Sequence, residues 1–324
     1  MVVGLSLMKM NTSSAPHTID ATQSQPELTS SGTTNNRTTK KLAAGSHHAP
    51  LNDVTLHYVV SGQGPLLFVM APGWGIGSTY LQRGLAELEK TRTIVYIDPR
   101  GSGQSTRPFD PAHMSTSQMA DDIDELRRYL GLESITLFGH SHSGAIAVAY
   151  AQRHQHHLDR LILVDSQLFG CNGADVTEKF LRGASNDSRY REAISRMGAP
   201  APTTDEAFSQ MVKKMLPLYF HDPAKNIPLF ELTMGDQLSL WAFQSQNLAD
   251  KLSPTEQTAT LSELRIKTLI LVGQFDWMCP VAVSERLHDG IANSELVVLK
   301  NSGHFPWIEE PARFFSSIRH FLSN

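Results

Sequence analysis

The sequence predicts an α/β fold in which a mainly parallel sheet is flanked by helices on both faces and carries an inserted helical cap. Short apolar strands alternate with amphipathic helices from residue 51 onward, which is typical of a parallel sheet with helical crossovers. Several strands are dense in Leu, Ile and Val without polar alternation, as expected for strands buried on both faces. Between residues 167 and 262 the strand pattern stops while helical apolar spacing persists, so we predict the cap there.

Two segments, residues 42–166 and 263–324, form the predicted core around this cap. An amphipathic helix is expected over residues 117–130, with its acidic residues early and Arg127 and Arg128 near its end, and a closing helix is expected from Pro311. The core segments contain seven predicted strands: 55–61, 66–71, 93–97, 134–138, 161–164, 268–272 and 296–299.

The composition excludes several classes of protein. With 324 residues, 40% hydrophobic and 19% charged, the chain is neither collagen-like, nor a coiled coil, nor wholly disordered. A formal net charge of −4 provides no basic field for phosphate backbones, so we expect no nucleic-acid partner. The longest apolar run, 66–71, is far shorter than the ~20 residues that cross a bilayer, so no stable membrane insertion is expected.

Residues 1–41 are predicted to be a disordered tail. Residues 11–40 are dominated by Ser, Thr, Asn and Gln and cannot bury enough apolar surface to offset chain entropy. Lys9 follows the first apolar stretch, whereas a secretory signal has its positive charge in front. We therefore expect a cytoplasmic protein with its two cysteines reduced, and leave N-terminal targeting or secretion open.

The segment around Ser141 predicts a serine nucleophile. The predicted strand 134–138 runs into Gly-His-Ser-His-Ser-Gly over residues 139–144, and a helix rich in small residues follows at once. A sharp turn from strand to helix exposes a serine hydroxyl and aims it at a base, and small neighbours prevent clashes in that turn. The alternative is an ordinary turn in which Ser141 is a helix N-cap.

An acid and a base follow in the order that a Ser-His-Asp triad on such a sheet requires. Asp276 lies in the loop after strand 268–272, and His304 lies in the loop after strand 296–299. The carboxyl ends of parallel strands meet at one edge of the sheet, where sites are built. Asp165, directly after strand 161–164, is the alternative acid, although its ordinary interpretation is a turn residue.

Attack on a carbonyl creates an oxyanion, which needs aimed N–H donors. The first predicted donor is the backbone N–H of His142, which follows the nucleophile. The second is the N–H of Trp74, in the Gly-rich segment after strand 66–71, with Gly73 or Gly75 as alternatives. The segment is not a phosphate-binding loop, because it lacks Gly-Lys-Ser/Thr.

Large apolar side chains of the cap either line a lipophilic pocket or pack the cap helices on the core. Phe230 and Met234 share this pattern with the six residues that we take as pocket candidates: Met211, Met215, Tyr219, Phe220, Trp241 and Phe243. As a set they favour an apolar small-molecule substrate. The histidines at 154, 156 and 157 lack a matching set of Cys or carboxylate ligands, so no metal and no cofactor are expected.

Over residues 51–324 the chain resembles the alpha/beta-hydrolase superfamily, with a cap inserted after the strand that ends near Asp165. The segments Asp-Pro-Arg-Gly-Ser-Gly-Gln-Ser (98–105) and Gly-Gln-Phe-Asp-Trp-Met-Cys-Pro (273–280) resemble prolyl aminopeptidase-like members. The resemblance implies Ser141, Asp276 and His304 as a triad. Two departures, Pro72-Gly73 in place of a His-Gly pair and Ser143 in place of an elbow Gly, keep the backbone donors but weaken the case for a peptidase.

The function predicted from these residues is a serine hydrolase that cleaves an ester, lactone or related acyl bond of a small hydrophobic molecule through an acyl-enzyme. Three alternatives stay open. They are a prolyl aminopeptidase-like peptidase, a non-hydrolytic enzyme for acyl transfer, carbon-carbon cleavage or cyclisation, and a ligand-binding receptor on the same fold.

Overall fold

The structure is a computed structural model that describes residues 41–171, 174–235 and 237–323, with side chains from residue 177 onward in the first cap helix. The predicted disordered tail, apart from Lys41, lies outside the described residues. Among the described residues, no helix has both the length and the apolarity that crossing a bilayer requires.

Eight strands form one sheet in the order β1-β2-β4-β3-β5-β6-β7-β8. The pairs β1·β2 and β2·β4 are antiparallel, and all other neighbours are parallel, which confirms the predicted mainly parallel sheet. The strands are β1 (Gly45–Pro50), β2 (Thr55–Gly62), β3 (Leu66–Met70), β4 (Thr93–Ile97), β5 (Ile135–His140), β6 (Leu158–Val164), β7 (Lys267–Gly273) and β8 (Ser294–Leu299).

Strand β1 was not predicted, and the reason is its composition. Its sequence Gly-Ser-His-His-Ala-Pro buries only Ala49 among its six residues, so it carries no apolar period. The strand exists because β2 offers it a complete antiparallel ladder at the edge of the sheet. The predicted start of β6 was also late by three residues, because Asp159 and Arg160 extend the strand with side chains that are not buried.

Helices pack on both faces of the sheet, and alternate strand residues supply two separate cores. In β3, Phe68 and Met70 belong to one core, while Leu67 and Val69 belong to the other. The first core is covered by α2 (Thr116–Tyr129), α3 (His142–His154) and α9 (Val281–Gly290), and the second by α1 (Thr79–Gly84), α10 (Pro306–Glu309) and α11 (Pro311–Ser323).

Between β6 and β7 the described chain forms five α-helices: α4 (Ala174–Ala184), α5 (Arg191–Arg196), α6 (Asp205–Met215), α7 (Pro223–Glu231) and α8 (Leu240–Leu252). Three of them begin at side-chain caps, because Thr204, Asp222 and Ser239 each accept a hydrogen bond from a backbone N–H of the first turn. These helices occupy the segment in which the cap was predicted, and we call residues 167–262 the cap.

Candidate active site

Ser141 lies in a strained turn between β5 and α3. Its φ of 58° and ψ of −124° fall in a region that non-glycine residues rarely occupy. Neighbouring glycines make the turn sterically feasible: a Cβ at Gly139 would lie 2.3 Å from the carbonyl oxygen of Ser143, and one at Gly144 would lie 2.0 Å from Ser166 Oγ. The small residues of the sequence pattern therefore meet a packing requirement. We call residues 139–144 the Ser141 turn.

Ser143 closes this turn with its hydroxyl group. Ser143 Oγ accepts a hydrogen bond from the N–H of His140 at 2.8 Å and donates one to the carbonyl oxygen of His140 at 2.9 Å. A glycine at this position could make neither bond. Ser143, in place of the usual glycine, therefore adds two hydrogen bonds to His140 and leaves the backbone of the turn in place.

Asp276 and His304 form a buried pair. His304 Nδ1 lies 2.7 Å from Asp276 Oδ2, and Asp276 Oδ1 accepts the backbone N–H groups of Met278 at 2.9 Å and Cys279 at 3.1 Å. Because Nδ1 is bonded to the carboxylate, Nε2 of His304 is the nitrogen left to exchange a proton. Ser141 and His304 line the same cavity, so the structure brings the three predicted residues together.

His140 packs directly against His304, with 4.6 Å between the ring centroids. Its Nε2 lies 2.8 Å from the carbonyl oxygen of His304, which can only accept, so Nε2 carries the proton and Nδ1 accepts from the Tyr80 hydroxyl at 3.0 Å. Burial, and secondly the charge of His304, lower the pKa of His140 well below 6.5. This neutral imidazole supports the predicted base, and its place just before Ser141 was the signal that sequence reasoning missed.

The described residues contain one cluster of three metal-ligating side chains, and it lies in this site. Ligand atoms of Asp276, Cys279 and His304 lie within 4.8 Å of one another. Burial, and then the charge of Asp276, raise the pKa of the Cys279 thiol well above its usual value, so the thiol is protonated in this arrangement. Asp276 and His304 are also bonded to each other. We assign no metal to this cluster, and His154 is bonded to Asp121 outside it.

The two predicted oxyanion donors differ in availability. The N–H of His142 is the first in helix α3, where no intrahelical acceptor exists for it. The N–H of Trp74 instead donates to Oε1 of Gln246 at 2.7 Å, and the alternative N–H of Gly75 donates to Ser102 Oγ at 3.2 Å. In this conformation the N–H of Trp74 is bonded to the cap, and its role as second donor stays a prediction.

Gln246, on cap helix α8, is fully buried and connects the residues of both predicted donors. Its Nε2 lies 2.8 Å from Nε2 of His142, whose Nδ1 lies 2.9 Å from Oε1 of Gln167. Thr116 Oγ1 also lies 2.9 Å from Nε2 of His142, and burial lowers the pKa of this imidazole, which favours its neutral form. The Trp74 ring packs on the same imidazole with centroids 5.0 Å apart. Sequence reasoning missed Gln246 because 172 residues separate it from Trp74.

A cavity of about 870 Å³, including its open mouth, adjoins Ser141 and His304. Its described lining contains no Asp, Glu, Lys or Arg side chain. An apolar substrate body would therefore be in contact with apolar walls over most of its surface. The core contributes Pro72, Trp74, Ile76, Tyr80 and Phe305 to these walls, and the cap contributes Val212, Leu216, Tyr219, Phe230, Met234 and Leu238.

Of the six pocket candidates, the structure places Tyr219 in the cavity wall, together with Phe230 and Met234 of the same pattern. The other five pack elsewhere. Met211 and Phe243 pack around Leu238 and Leu240, and Met215 packs near Trp277. Phe220 is buried against Phe305, and Trp241 lies under the Arg107 guanidinium. Helical spacing identifies side chains that point inward, but it does not separate a cavity wall from a packed contact.

Comparison with known proteins adds sequence relatives to this geometry. The sequence model of the family described as alpha/beta hydrolase fold matches residues 67–311. The AB hydrolase superfamily protein YisY of Bacillus subtilis is 28% identical over 282 residues, which cover 84% of this chain and 96% of the relative. A proline iminopeptidase of Saccharolobus solfataricus is 26% identical over 282 residues, which cover 82% of this chain and 87% of the relative.

A solved structure agrees with these relatives. The thermophilic esterase of Thermogutta terrifontis matches with a TM-score of 0.66 at 25% identity, and the match covers 86% of this chain and 98% of the esterase. The sheet order, the position of the cap and the sequence match lead to one conclusion. The chain belongs to the alpha/beta hydrolase fold family, and its relatives include prolyl aminopeptidase-like proteins.

Proposed function

We propose that this protein is a serine hydrolase that works through an acyl-enzyme on Ser141, His304 and Asp276. The observation that carries the proposal is the strained Ser141 turn, in which Ser141 shares one cavity with His304, the hydrogen-bond partner of the buried Asp276. A buried imidazole fixed by a carboxylate, in the same cavity as a serine hydroxyl, is the arrangement that nucleophilic acyl transfer needs.

The chemistry follows from these positions. Ser141 Oγ attacks the carbonyl carbon while His304 takes the hydroxyl proton, and Asp276 stabilises the imidazolium that forms. The bond to the leaving group breaks as His304 returns the proton to it. A water molecule, deprotonated by His304, then attacks the acyl-enzyme, and His304 returns this proton to Ser141 Oγ as the acid is released. The N–H of His142 stabilises the oxyanion, and the N–H of Trp74 can join it only after Oε1 of Gln246 releases that donor.

The cavity supports a neutral, hydrophobic acyl substrate such as an ester or lactone. Its described lining carries no Asp, Glu, Lys or Arg side chain, so a charged substrate would lose hydration without gaining an ionic partner. The 25% identical esterase structure supports the same class of substrate. An aminopeptidase has to bind a protonated amino terminus, for which the described lining offers no carboxylate. The relationship to the Saccharolobus proline iminopeptidase keeps peptide cleavage as the second candidate.

Labelling with an active-site-directed fluorophosphonate tests the mechanism. We expect stoichiometric labelling of the native chain and of the control Ser316→Ala, which alters an exposed helix residue, and no labelling of Ser141→Ala. Absence of labelling, or equal labelling of Ser141→Ala, would refute the proposal.

A substrate screen separates the two candidates. We expect aryl esters of graded acyl length to exceed proline and alanine anilides by more than about tenfold in kcat/KM, equivalent to about 1.4 kcal/mol of transition-state stabilisation. A preference of the same size for proline anilide would establish the peptidase instead. Product that has not gained water would indicate acyl transfer or another non-hydrolytic reaction.

A further inference from the structure

Asp165 is a fully buried carboxyl group that the mechanism above does not use. It follows β6 directly and has a φ of 43°, a rare conformation for a residue other than glycine. Its backbone N–H donates to the carbonyl oxygen of Leu271 at 2.8 Å, and its Oδ1 accepts the N–H of Gly273 at 2.8 Å. Asp165 thereby connects the end of β6 to the end of β7, from which the loop with Asp276 departs.

The same short segment also holds the Ser141 turn. The N–H of Ser141 donates to the carbonyl oxygen of Val164 at 3.0 Å, and the N–H of Gln167 donates to the carbonyl oxygen of Ser141 at 3.0 Å. Asp165 therefore lies between the proposed nucleophile and the loop of the proposed acid. A side chain in this position can fix the loop of Asp276 relative to the Ser141 turn.

The surroundings of the second carboxyl oxygen of Asp165 indicate the protonation state of this side chain. Oδ2 is buried, and no hydrogen-bond donor among the described residues contacts it. The Asp165 carboxyl group lies instead within hydrogen-bonding distance of Asp276. Two carboxylates in contact cannot both be ionised at low cost, whereas a single proton shared between them satisfies both groups.

The surroundings decide which of the two carboxyl groups keeps the proton. Asp276 accepts the backbone N–H groups of Met278 and Cys279 and is bonded to Nδ1 of His304, so three donors stabilise a negative charge on it. Asp165 accepts a single backbone N–H, from Gly273. Burial, and secondly the charge of Asp276, also raise the pKa of Asp165 well above its usual value. The proton therefore belongs on Asp165.

We propose that Asp165 is a positioning residue whose protonated carboxyl group donates a hydrogen bond to Asp276 and fixes the carboxylate that orients His304. The proposal rests on the proposed function, in which Asp276 is the ionised member of the triad. Asp165 contacts no substrate in this scheme. It restrains Asp276, which in turn orients His304.

Two substitutions of similar size test this role. Asp165→Asn keeps both contacts, because an amide oxygen accepts the Gly273 N–H and an amide NH₂ donates to Asp276. Asp165→Leu removes both. We expect Asp165→Asn to retain kcat within about threefold, and Asp165→Leu to lose about 10- to 100-fold in kcat with KM little changed, as for a lost hydrogen bond to a charged group.

The pH profile provides a readout that a merely structural role would not change. The ionisable groups whose charges act on Asp165 are Asp276, Glu309 and Cys279. If Asp165 is neutral, Asp165→Asn removes no charge, and the acid limb of kcat/KM, which reports protonation of the base, stays in place. If Asp165 is ionised, the same substitution removes a negative charge near His304 and shifts that limb to lower pH.

Asp276→Asn completes the experiment, with an expected loss of about 10⁴-fold in kcat. A shifted acid limb in Asp165→Asn overturns the proposal. So does a variant Asp276→Asn that keeps its activity while Asp165→Asn loses it, since Asp165 would then be the ionised acid. If Asp165→Leu does not fold, the pH profile of Asp165→Asn still decides. Failure of the proposed function is distinguishable, because the native chain would then resist fluorophosphonate labelling.

Discussion

Ser143 illustrates how one side chain can stabilise a strained turn. Its hydroxyl group both accepts from and donates to the backbone of His140, so two buried polar groups depend on it. We expect Ser143→Ala to lower the free energy of unfolding by about 1–3 kcal/mol. Urea denaturation checks this value, with Ser316→Ala as the control, since the exposed Ser316 hydroxyl bonds only to Arg313 on the surface of α11. Equal effects of the two substitutions would contradict the assignment.

At the scale of residues, the sequence predicted the candidate catalytic side chains that lie directly after strands. Ser141, Asp276 and His304 each follow a strand; the structure places Ser141 and His304 in the wall of one cavity and hydrogen-bonds Asp276 to His304. The engagement of Trp74 by Gln246 was unpredictable, because it depends on how the cap docks on the core. The contact between Asp165 and Asp276 was equally invisible, since two acids at different strand ends give no sign of sharing a proton.

At the scale of elements, helix α8 is anchored to the core through Gln246. Its side chain pairs with the N–H of Trp74 and with Nε2 of His142. Gln246→Leu would leave the Trp74 N–H without this partner, while Nε2 of His142 keeps its contact with Thr116 Oγ1, so we expect the free energy of unfolding to fall by about 1–3 kcal/mol.

Gln210→Leu is the matched control, because Gln210 lies exposed on cap helix α6. Its effect should stay within about 0.5 kcal/mol. Chemical denaturation of both variants measures the difference. A Gln246→Leu variant as stable as the control would show that the cap does not depend on this anchor.

The predictability of elements follows their apolar content. Strands such as β3 and β7 were predicted because each contains an uninterrupted run of apolar residues, whereas β1 depends on pairing with β2 and has almost no apolar pattern of its own. In the cap, the helical period was visible around Met211 and Met215. Only the docked structure shows that Val212 and Leu216 face the cavity instead.

At the scale of the whole molecule, two buried neutral histidines make stability depend on pH. Burial lowers the pKa values of His140 and His142 below 6.5, so between those values and pH 6.5 the unfolded chain binds more protons than the folded chain. Their contribution is complete above pH 6.5 and is lost as pH falls below it. We expect the free energy of unfolding to decrease there by up to about 1.4 kcal/mol per pH unit for each histidine.

Urea denaturation at pH 7.5, 6.0 and 5.0 measures this slope. His142→Gln removes one of the two imidazoles and leaves the buried carboxyl groups of Asp165 and Asp122 in place, so the slope below pH 6.5 should be smaller than the native slope by up to about 1.4 kcal/mol per pH unit. A His142→Gln variant whose stability changes between pH 6.0 and 5.0 as steeply as that of the native protein would contradict the assignment of His142 as buried and neutral.

The side chains that the cap contributes to the cavity wall lie on one continuous stretch, from Val212 to Leu238. The backbone of this stretch contacts His304 and the helix that follows it: the carbonyl oxygen of Tyr219 accepts the N–H of His304, and the N–H groups of His221 and Asp222 donate to Glu309 in α10. Such contacts do not depend on which side chains the stretch carries. The cavity wall, and with it the preference of the proposed enzyme for a substrate, can therefore change in evolution or by grafting a segment from a relative. The backbone contacts with His304 and Glu309 would stay the same.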